Sequence, residues 1–143
     1  MKKDNKIIKN FYEVVNNIEN SYSAIGDDKE ELKKASYELV INLVALEKFS
    51  RLFKEGKISL DEFKKLIINI VTKETDQLIV VDDNGIEVTD EQKALNNYVV
   101  INSFDEGEVK TFATNFYRIL SSARIFVHYK LNNEATIMIL LSL

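Results

Sequence analysis

The 143-residue chain contains no proline and only four glycines. Proline interrupts helices because it lacks an amide hydrogen, and glycine weakens them because it loses more backbone entropy, so their scarcity favours long helices. Hydrophobic residues make up 45% of the chain, enough for a single core at this length. We therefore predict one domain that spans residues 1–143. The abundance of Asn, Lys and Ile indicates an AT-rich genome, typical of a bacterial or phage origin.

Apolar residues that recur every three or four positions predict the helices. They indicate helices over about 5–24, 27–53, 59–71, 90–103 and 106–131. Asn132 and Asn133 then interrupt the pattern, and the last residues form either a short helix or a strand. The predicted fold class is mainly α, a single compact bundle of five or six helices with one small β-hairpin.

The hairpin prediction concerns residues 77–89, where the helical period breaks. Asn84-Gly85 lies there between β-branched residues, and this is the strongest short-range signal for a two-residue hairpin turn. An isolated two-stranded ribbon is marginally stable in water, so it must pack on the helices or on a partner.

Large apolar residues on the helix stripes form the predicted core. The second helix is predicted to be the most buried, because Val40, Ile41 and Val44 widen its apolar face. On the fourth helix Ala94, Leu95, Tyr98, Val99 and Asn102 share one face. The predicted core residues are Phe11, Val15, Leu39, Leu43, Leu46, Phe49, Phe63, Ile67, Phe112, Phe116, Ile119 and Phe126.

Several classes of site are excluded or disfavoured by composition. The chain has no cysteine, which excludes disulfides and thiolate metal sites, and its one histidine is too few for an ordinary zinc site. Residues 51–62 and 80–91 partly match a calcium loop, but Arg51, Phe53 and Val80 stand where oxygen ligands are required. No phosphate loop, dinucleotide turn or nucleophile elbow is present. We therefore predict no catalytic residues, no metal and no cofactor.

No segment has the length of a membrane anchor. The charged N-terminus lacks an apolar run of signal-peptide length, and the apolar stretch 135–143 is far shorter than the roughly 20 residues of a membrane span. The sequence thus predicts a soluble, cytoplasmic protein. The apolar stretch is expected either to close the core or to form the seam of a homodimer.

Charge is concentrated in the middle of the chain. The net charge is −4, but residues 74–108 hold one lysine and ten acidic residues. Such a cluster can steer a basic partner and accelerate its association. Direct nucleic-acid binding is disfavoured, because the basic residues are split between the two ends of the chain. The predicted partner-binding residues are Asp82, Asp83, Glu87, Asp90, Glu91, Asp105 and Glu106.

A second candidate is a polar stripe on the last long helix. Tyr117, Ser121, Arg124 and His128 follow one another at spacings of three and four residues and so line one face. Arg124 and His128 lie one turn apart, as a general acid and base of a ribonuclease could. The simplest interpretation of this stripe is the solvated face of an amphipathic helix.

Three functional hypotheses follow. The first is a non-enzymatic regulatory or inhibitory module that uses the acidic surface around 76–91 and 105–108 to bind a basic protein, one that could itself bind nucleic acid. The second is a ligand-sensing helical domain with an apolar pocket of about 300 Å³ or more. The third is a phosphate-handling or ribonuclease-type enzyme that uses Arg124 and His128, with Tyr117 beside them.

Overall fold

A computed structural model describes the backbone of residues 5–142 and the side chains of residues 6–132. Five helices account for most of this range, which confirms the mainly helical bundle. They are α1 (Asn5–Ser23), α2 (Lys29–Lys54), α3 (Leu60–Asp76), α4 (Asp90–Ser103) and α5 (Glu106–Ser142). Among the described residues, no helix is both long enough and apolar enough to cross a lipid bilayer.

The longest helix, α5, organises the bundle and packs chiefly against α2 and α1, whereas α4 packs chiefly against α3. Helix α1 runs parallel to α5. Phe11 contacts Phe112 near the start of both helices, and the ammonium group of Lys130 donates a hydrogen bond to the carbonyl of Ile25, just beyond α1. Helix α2 runs antiparallel to α5, because residues 47–54 lie beside residues 110–118.

Side-chain caps set the starts of four helices, close to the starts that the sequence predicts. Asp28 accepts hydrogen bonds from the amides of Glu30 and Glu31 at the start of α2. Ser59 and Glu62 form a reciprocal capping box before α3, and Thr89 caps α4. Before α5, Asp105 and Glu108 form a reciprocal capping box. Because these bonds satisfy amides that a helix leaves unpaired, local sequence is enough to predict where the helices begin.

The predicted β-hairpin over 77–89 is wrong. The segment is a loop with one isolated antiparallel bridge, between Val81 and Glu87. The side chain of Asp82 closes a tight turn by accepting hydrogen bonds from the amides of Asn84 (2.8 Å) and Ile86 (3.0 Å). These local bonds replace a longer strand ladder, and the exposed β-branched residues around the turn have no face to pack on.

Helix α5 continues through Asn132 and Asn133 to Ser142. The separate terminal helix or strand predicted after residue 131 is therefore wrong. Asparagine lowers helix stability by only a few tenths of a kcal/mol relative to average residues, and no proline or glycine follows to end the helix. The side chains of residues 133–143 lie outside the described part, so core closure and the homodimer seam stay predictions.

The core agrees with prediction except at the edges of the helix stripes. Most predicted core residues are buried, Phe49 and Ile119 are partly buried, and Phe126 is exposed. On α2, Val40, Ile41 and Val44 are also exposed, because that helix is apolar on two opposite faces and only one of them meets its neighbours.

Candidate functional site

The loop between α3 and α4 is built around the turn at Asp82. Gly85 has a φ of +77°, a left-handed conformation that glycine adopts without a steric penalty. The amide of Gly85 donates to the carbonyl of Asp82 (3.0 Å), and the amide of Val88 donates to the carbonyl of Val80 (2.7 Å). Together these bonds give the loop a defined shape although it contains no extended strand.

A buried lysine attaches this loop to the helices on both sides. The side chain of Lys93, on α4, is 6% exposed and forms an ion pair with Asp90 (2.9 Å). Its ammonium group also donates hydrogen bonds to the carbonyls of Thr75 (3.2 Å) and Leu78 (2.9 Å). Because the last carbonyls of a helix lack intrahelical partners, Lys93 acts as a cationic cap for α3.

Asn97 extends this polar contact one turn further along α4. Its amide nitrogen donates to the hydroxyl oxygens of Thr75 (3.1 Å) and Thr72 (3.3 Å), both on α3. Lys93 and Asn97 are buried together with Val100 and Ile101. The face of α4 that meets the bundle is therefore partly polar.

A second group of apolar residues on α4 points to solvent. Leu95 is 53% exposed, Tyr98 is 58% exposed and Val99 is 45% exposed. An amphipathic helix normally buries its apolar residues, and α4 buries Val100 and Ile101 but leaves these three exposed. Glu91 lies four residues before Leu95 and seven before Tyr98, which places a carboxylate on the same face. We call Glu91, Leu95, Tyr98 and Val99 the outer face of α4.

The loop adds exposed aliphatic side chains next to this helix. Ile79, Val81 and Ile86 are 83%, 58% and 64% exposed. Exposed apolar residues are common singly, but a group of them within one short segment indicates an interaction surface. Sequence reasoning placed Leu95, Tyr98 and Val99 on one face of the fourth helix but did not predict that this face is exposed, and it expected the loop to form a ribbon that packs on the helices or on a partner.

The predicted acidic residues differ in their surroundings. Three of them form ion pairs with lysines: Asp83 with Lys6 (2.6 Å), Asp90 with Lys93 (2.9 Å) and Glu106 with Lys110 (3.3 Å). The hydrogen bond and charge of Lys6 lower the pKa of Asp83. Two others serve the backbone, since Asp82 closes the turn and Asp105 accepts a hydrogen bond from the amide of Glu108 (2.8 Å).

Glu87 and Glu91 are the two acidic residues of this set whose carboxylates form neither an ion pair nor a hydrogen bond to the backbone within the described side chains. They lie near the start of α4, whereas Asp105 and Glu106 follow its end. A helix of this length separates its two ends by about 21 Å, so the structure does not bring all the predicted acids into one patch. Glu87 and Glu91 accompany the exposed apolar residues.

The polar stripe on α5 does not converge on one point. Tyr117 and His128 are eleven residues apart on the same helix, which separates them by roughly 16 Å along its axis. Arg124 and His128 are exposed, and Ser121 is partly buried. His128 contacts the side-chain amide of Asn132 (3.0 Å) on its own helix. No group of three or more metal-binding side chains occurs among the described residues.

A groove of about 640 Å³ lies between the second half of α2 and the first half of α5. Its floor contains Phe53, Phe63 and Ala113, and three cations, Lys54, Lys110 and Arg118, line its sides. Sequence reasoning placed Tyr117 on a polar stripe of α5. It missed the groove because this depends on the pairing of α2 with α5, which helix periodicity does not show.

A cluster of buried polar groups joins the first three helices. Glu74, on α3, is 3% exposed. Its carboxylate accepts hydrogen bonds from the hydroxyl of Tyr22 (2.6 Å) and from the amide nitrogen of Asn42 (2.6 Å). Burial raises the pKa of Glu74, although these two hydrogen bonds act in the opposite direction.

In comparisons with known proteins, the chain matches no family model, no curated protein and no solved structure.

Proposed function

We propose that this chain is a non-enzymatic protein-binding module, and that its partner covers the outer face of α4 and the neighbouring loop. The observation that carries the proposal is the orientation of α4, which buries Lys93 and Asn97 and leaves Leu95 and Tyr98 in water. Fully burying a side chain such as leucine contributes about 1.5–3 kcal/mol, so covering these residues is a source of binding free energy.

The chemistry of the partner follows from the acids nearby. Glu91 is on the outer face of α4 and Glu87 is in the loop. A partner that presents an apolar recess with basic residues at its rim complements both features. The opposite charges increase the rate of encounter, and the apolar contact slows dissociation. The proposal retains the hypothesis of an acidic surface that binds a basic protein, and it limits that surface to the residues near α4.

Another exposed apolar stripe, on α2, provides a matched control. Tyr37 is 69% exposed and Val44 is 59% exposed. Lys33 and Lys48 lie four residues before Tyr37 and four after Val44, so they continue that stripe. The two helices therefore present tyrosines of similar exposure among charges of opposite sign, and a partner with a basic rim fits only the α4 surface.

The test is affinity capture with the full chain immobilised, using extract from the cells in which it occurs. We expect a basic protein to be retained by the wild type and by Tyr37→Ser, and to be lost with Tyr98→Ser. Mass spectrometry identifies and quantifies what each variant retains. Retention that is lost with Tyr37→Ser, or that neither substitution changes, contradicts the proposal.

The electrostatic contribution to partner binding is tested by a separate measurement of association rates. With the purified partner, Glu91→Lys should slow association and weaken the dependence of its rate on salt concentration, because rim charges act mainly on encounter. Glu19→Lys makes the same change of charge at an exposed position on α1 and should have a much smaller effect. Equal effects of the two substitutions would show that only net charge matters.

A further inference from the structure

The groove between α2 and α5 differs in charge from the rest of the molecule. Its lining includes three cations, Lys54, Lys110 and Arg118, and one carboxylate, Glu47. Glu47 is engaged by Arg51 at 3.3 Å on its own helix. The chain as a whole carries a net charge of −4, so the groove is a positive region on a negative protein. Such a region attracts small anions and focuses them locally.

The floor of the groove is aromatic and rigid. Phe53 stacks on Phe63 with ring centroids 4.8 Å apart and planes inclined by 19°. Phe63 and Ala113 are 1% and 5% exposed, so the floor belongs to the packed core. Phe53 is only partly buried and forms the edge of that floor. A flat apolar group can therefore bind here without rearrangement of the core.

The cations are placed close to this aromatic floor. The ammonium group of Lys110 lies 5.6 Å from the centroid of the Phe53 ring, and it also pairs with Glu106 at 3.3 Å. Arg118 is two turns further along α5, and Lys54 follows Phe53 on α2. Ser50, Thr114 and Tyr117 add hydroxyl groups to the lining. Polar groups at the rim of an apolar floor are the usual composition of a small-molecule site.

A second cavity of similar size lacks this combination of an aromatic floor and an excess of cations. It has a volume of about 620 Å³ and lies between α1 and residues 80–97. Asp82, Asp83, Glu87 and Glu13 contribute to its lining, together with Lys6 and Lys93. Its carboxylates outnumber its cations, so it does not favour an anion.

We propose that the α2–α5 groove is a binding site for a small aromatic anion, a molecule with a flat apolar body and a carboxylate, sulfonate or phosphate group. The apolar body lies on Phe53, and the anionic group is held by Lys54, Lys110 and Arg118. The volume of about 640 Å³ falls within the range of roughly 300–1,000 Å³ that is typical of such sites. This site lies on different helices from the outer face of α4 and is independent of the proposed protein binding.

The first test uses 8-anilinonaphthalene-1-sulfonate, a fluorescent aromatic anion, with its uncharged analogue N-phenyl-1-naphthylamine. The full chain should bind one molecule of the anion, and it should bind the neutral analogue at least about fivefold more weakly, because that analogue gains no attraction from the cations. Equal affinity for the two probes overturns the assignment of an anion site.

The second test locates the site. Arg118→Gln and Lys54→Gln should each weaken binding of the anion by about threefold or more at low salt and leave the neutral analogue unaffected. Lys65→Gln and Lys33→Gln make the same change of net charge at exposed positions outside the groove and serve as controls. Equal weakening by the control variants shows a general charge effect and contradicts the site.

The third test separates a folded site from nonspecific binding to exposed apolar surface. Thr114→Trp places a large side chain at an exposed position in the lining, and it should weaken both probes at least tenfold. Saturating anion should raise the midpoint of thermal unfolding of the wild type, because it binds only the folded state, and should do so much less for Thr114→Trp. If the two proteins have the same circular dichroism and bind the probes equally, the groove is not the site.

Discussion

Tyr22 and Glu74 lie 52 positions apart in the sequence and meet through a hydrogen bond of 2.6 Å, in which the phenol hydroxyl donates to Oε2 of the carboxylate. Asn42 donates to Oε1 of the same group, so both carboxylate oxygens have a partner. Burial, the charge of Glu74 and this hydrogen bond all raise the pKa of Tyr22. The contact ties α1, α2 and α3 together at a point where a charge is kept out of water.

The pH dependence of folding should contain a contribution from Glu74. Because burial raises its pKa in the folded state, the stabilisation from holding the proton is complete below the unfolded pKa of about 4.3. This stabilisation is lost as the pH rises through the raised pKa that Glu74 has in the folded state. In urea unfolding between pH 4 and 8, Glu74→Gln should therefore gain stability relative to the wild type as pH increases. Glu13→Gln, at an exposed carboxylate on α1, is the matched control variant.

Removing the hydroxyl of Tyr22 tests the same contact from the other side. Tyr22→Phe leaves one oxygen of a buried carboxylate without its donor, which should lower the free energy of unfolding by about 1–3 kcal/mol at neutral pH. The loss of unfolding free energy should be smaller in acid, because a protonated Glu74 carries no charge that the missing hydrogen bond would have stabilised. Tyr37→Phe, at a tyrosine that is 69% exposed, should change the free energy of unfolding by less than about 0.5 kcal/mol.

Lys93 should control the order of the loop before α4. Lys93→Met keeps the length of the side chain but removes its hydrogen bonds to the carbonyls of Thr75 and Leu78. Hydrogen exchange should accelerate at the amides of residues 77–89 and at the end of α3, and the free energy of unfolding should fall by about 2–4 kcal/mol. Lys65→Met, at an exposed position on α3, is the control; similar exchange in both variants would contradict the role of Lys93.

Two glycines should respond oppositely to alanine. Gly85 has a φ of +77°, so Gly85→Ala should destabilise the fold by about 1–2 kcal/mol through backbone strain. Gly26 does not adopt a left-handed conformation and has open space around it, so Gly26→Ala should be neutral or stabilise by up to about 1 kcal/mol. Chemical denaturation of both variants measures the difference, and equal effects would contradict the turn geometry.

The orientation of α4 can be checked by comparing its two faces. Ile101 is fully buried, and Ile101→Ala should lower the free energy of unfolding by about 2–5 kcal/mol. Leu95 is 53% exposed, and Leu95→Ala should cost less than about 1 kcal/mol. If α4 instead buried its outer face, the larger loss would come from Leu95.

Sequence reasoning predicted what local residues determine. The helix starts at Asp28, Ser59 and Thr89 follow from caps that lie within a few residues of the amides they bind. The core stripes of α1 and α3 follow from periodicity, because each helix has one apolar face, which is buried. On α2, periodicity finds the buried stripe but does not separate it from the second apolar face, which is exposed. The sequence also shows that the loop contains apolar and charged residues. It does not show the hydrogen bonds that the Asp82 side chain accepts in place of a longer strand ladder.

The remaining errors concern interactions between distant segments. The face that α4 buries includes Lys93 and Asn97, whose partners lie on or just after α3, 15 to 25 positions earlier. Helix periodicity contains no information about such partners. Sequence reasoning also missed the α2–α5 groove and the contact between Tyr22 and Glu74, because each depends on which helices become neighbours.

The turn at Asp82 is shaped by hydrogen bonds within the loop, while Lys93 and the ion pair of Asp83 with Lys6 hold the loop on the helices. The hydrogen bonds that shape it join residues between Val80 and Val88, and the bond from the amide of Val88 to the carbonyl of Val80 holds the two ends of that segment side by side. A short peptide cyclised through those ends would contain every residue that forms these hydrogen bonds. The segment is therefore portable: it could be grafted onto an unrelated scaffold, or used as a cyclic peptide to compete with the whole protein for whatever recognises it.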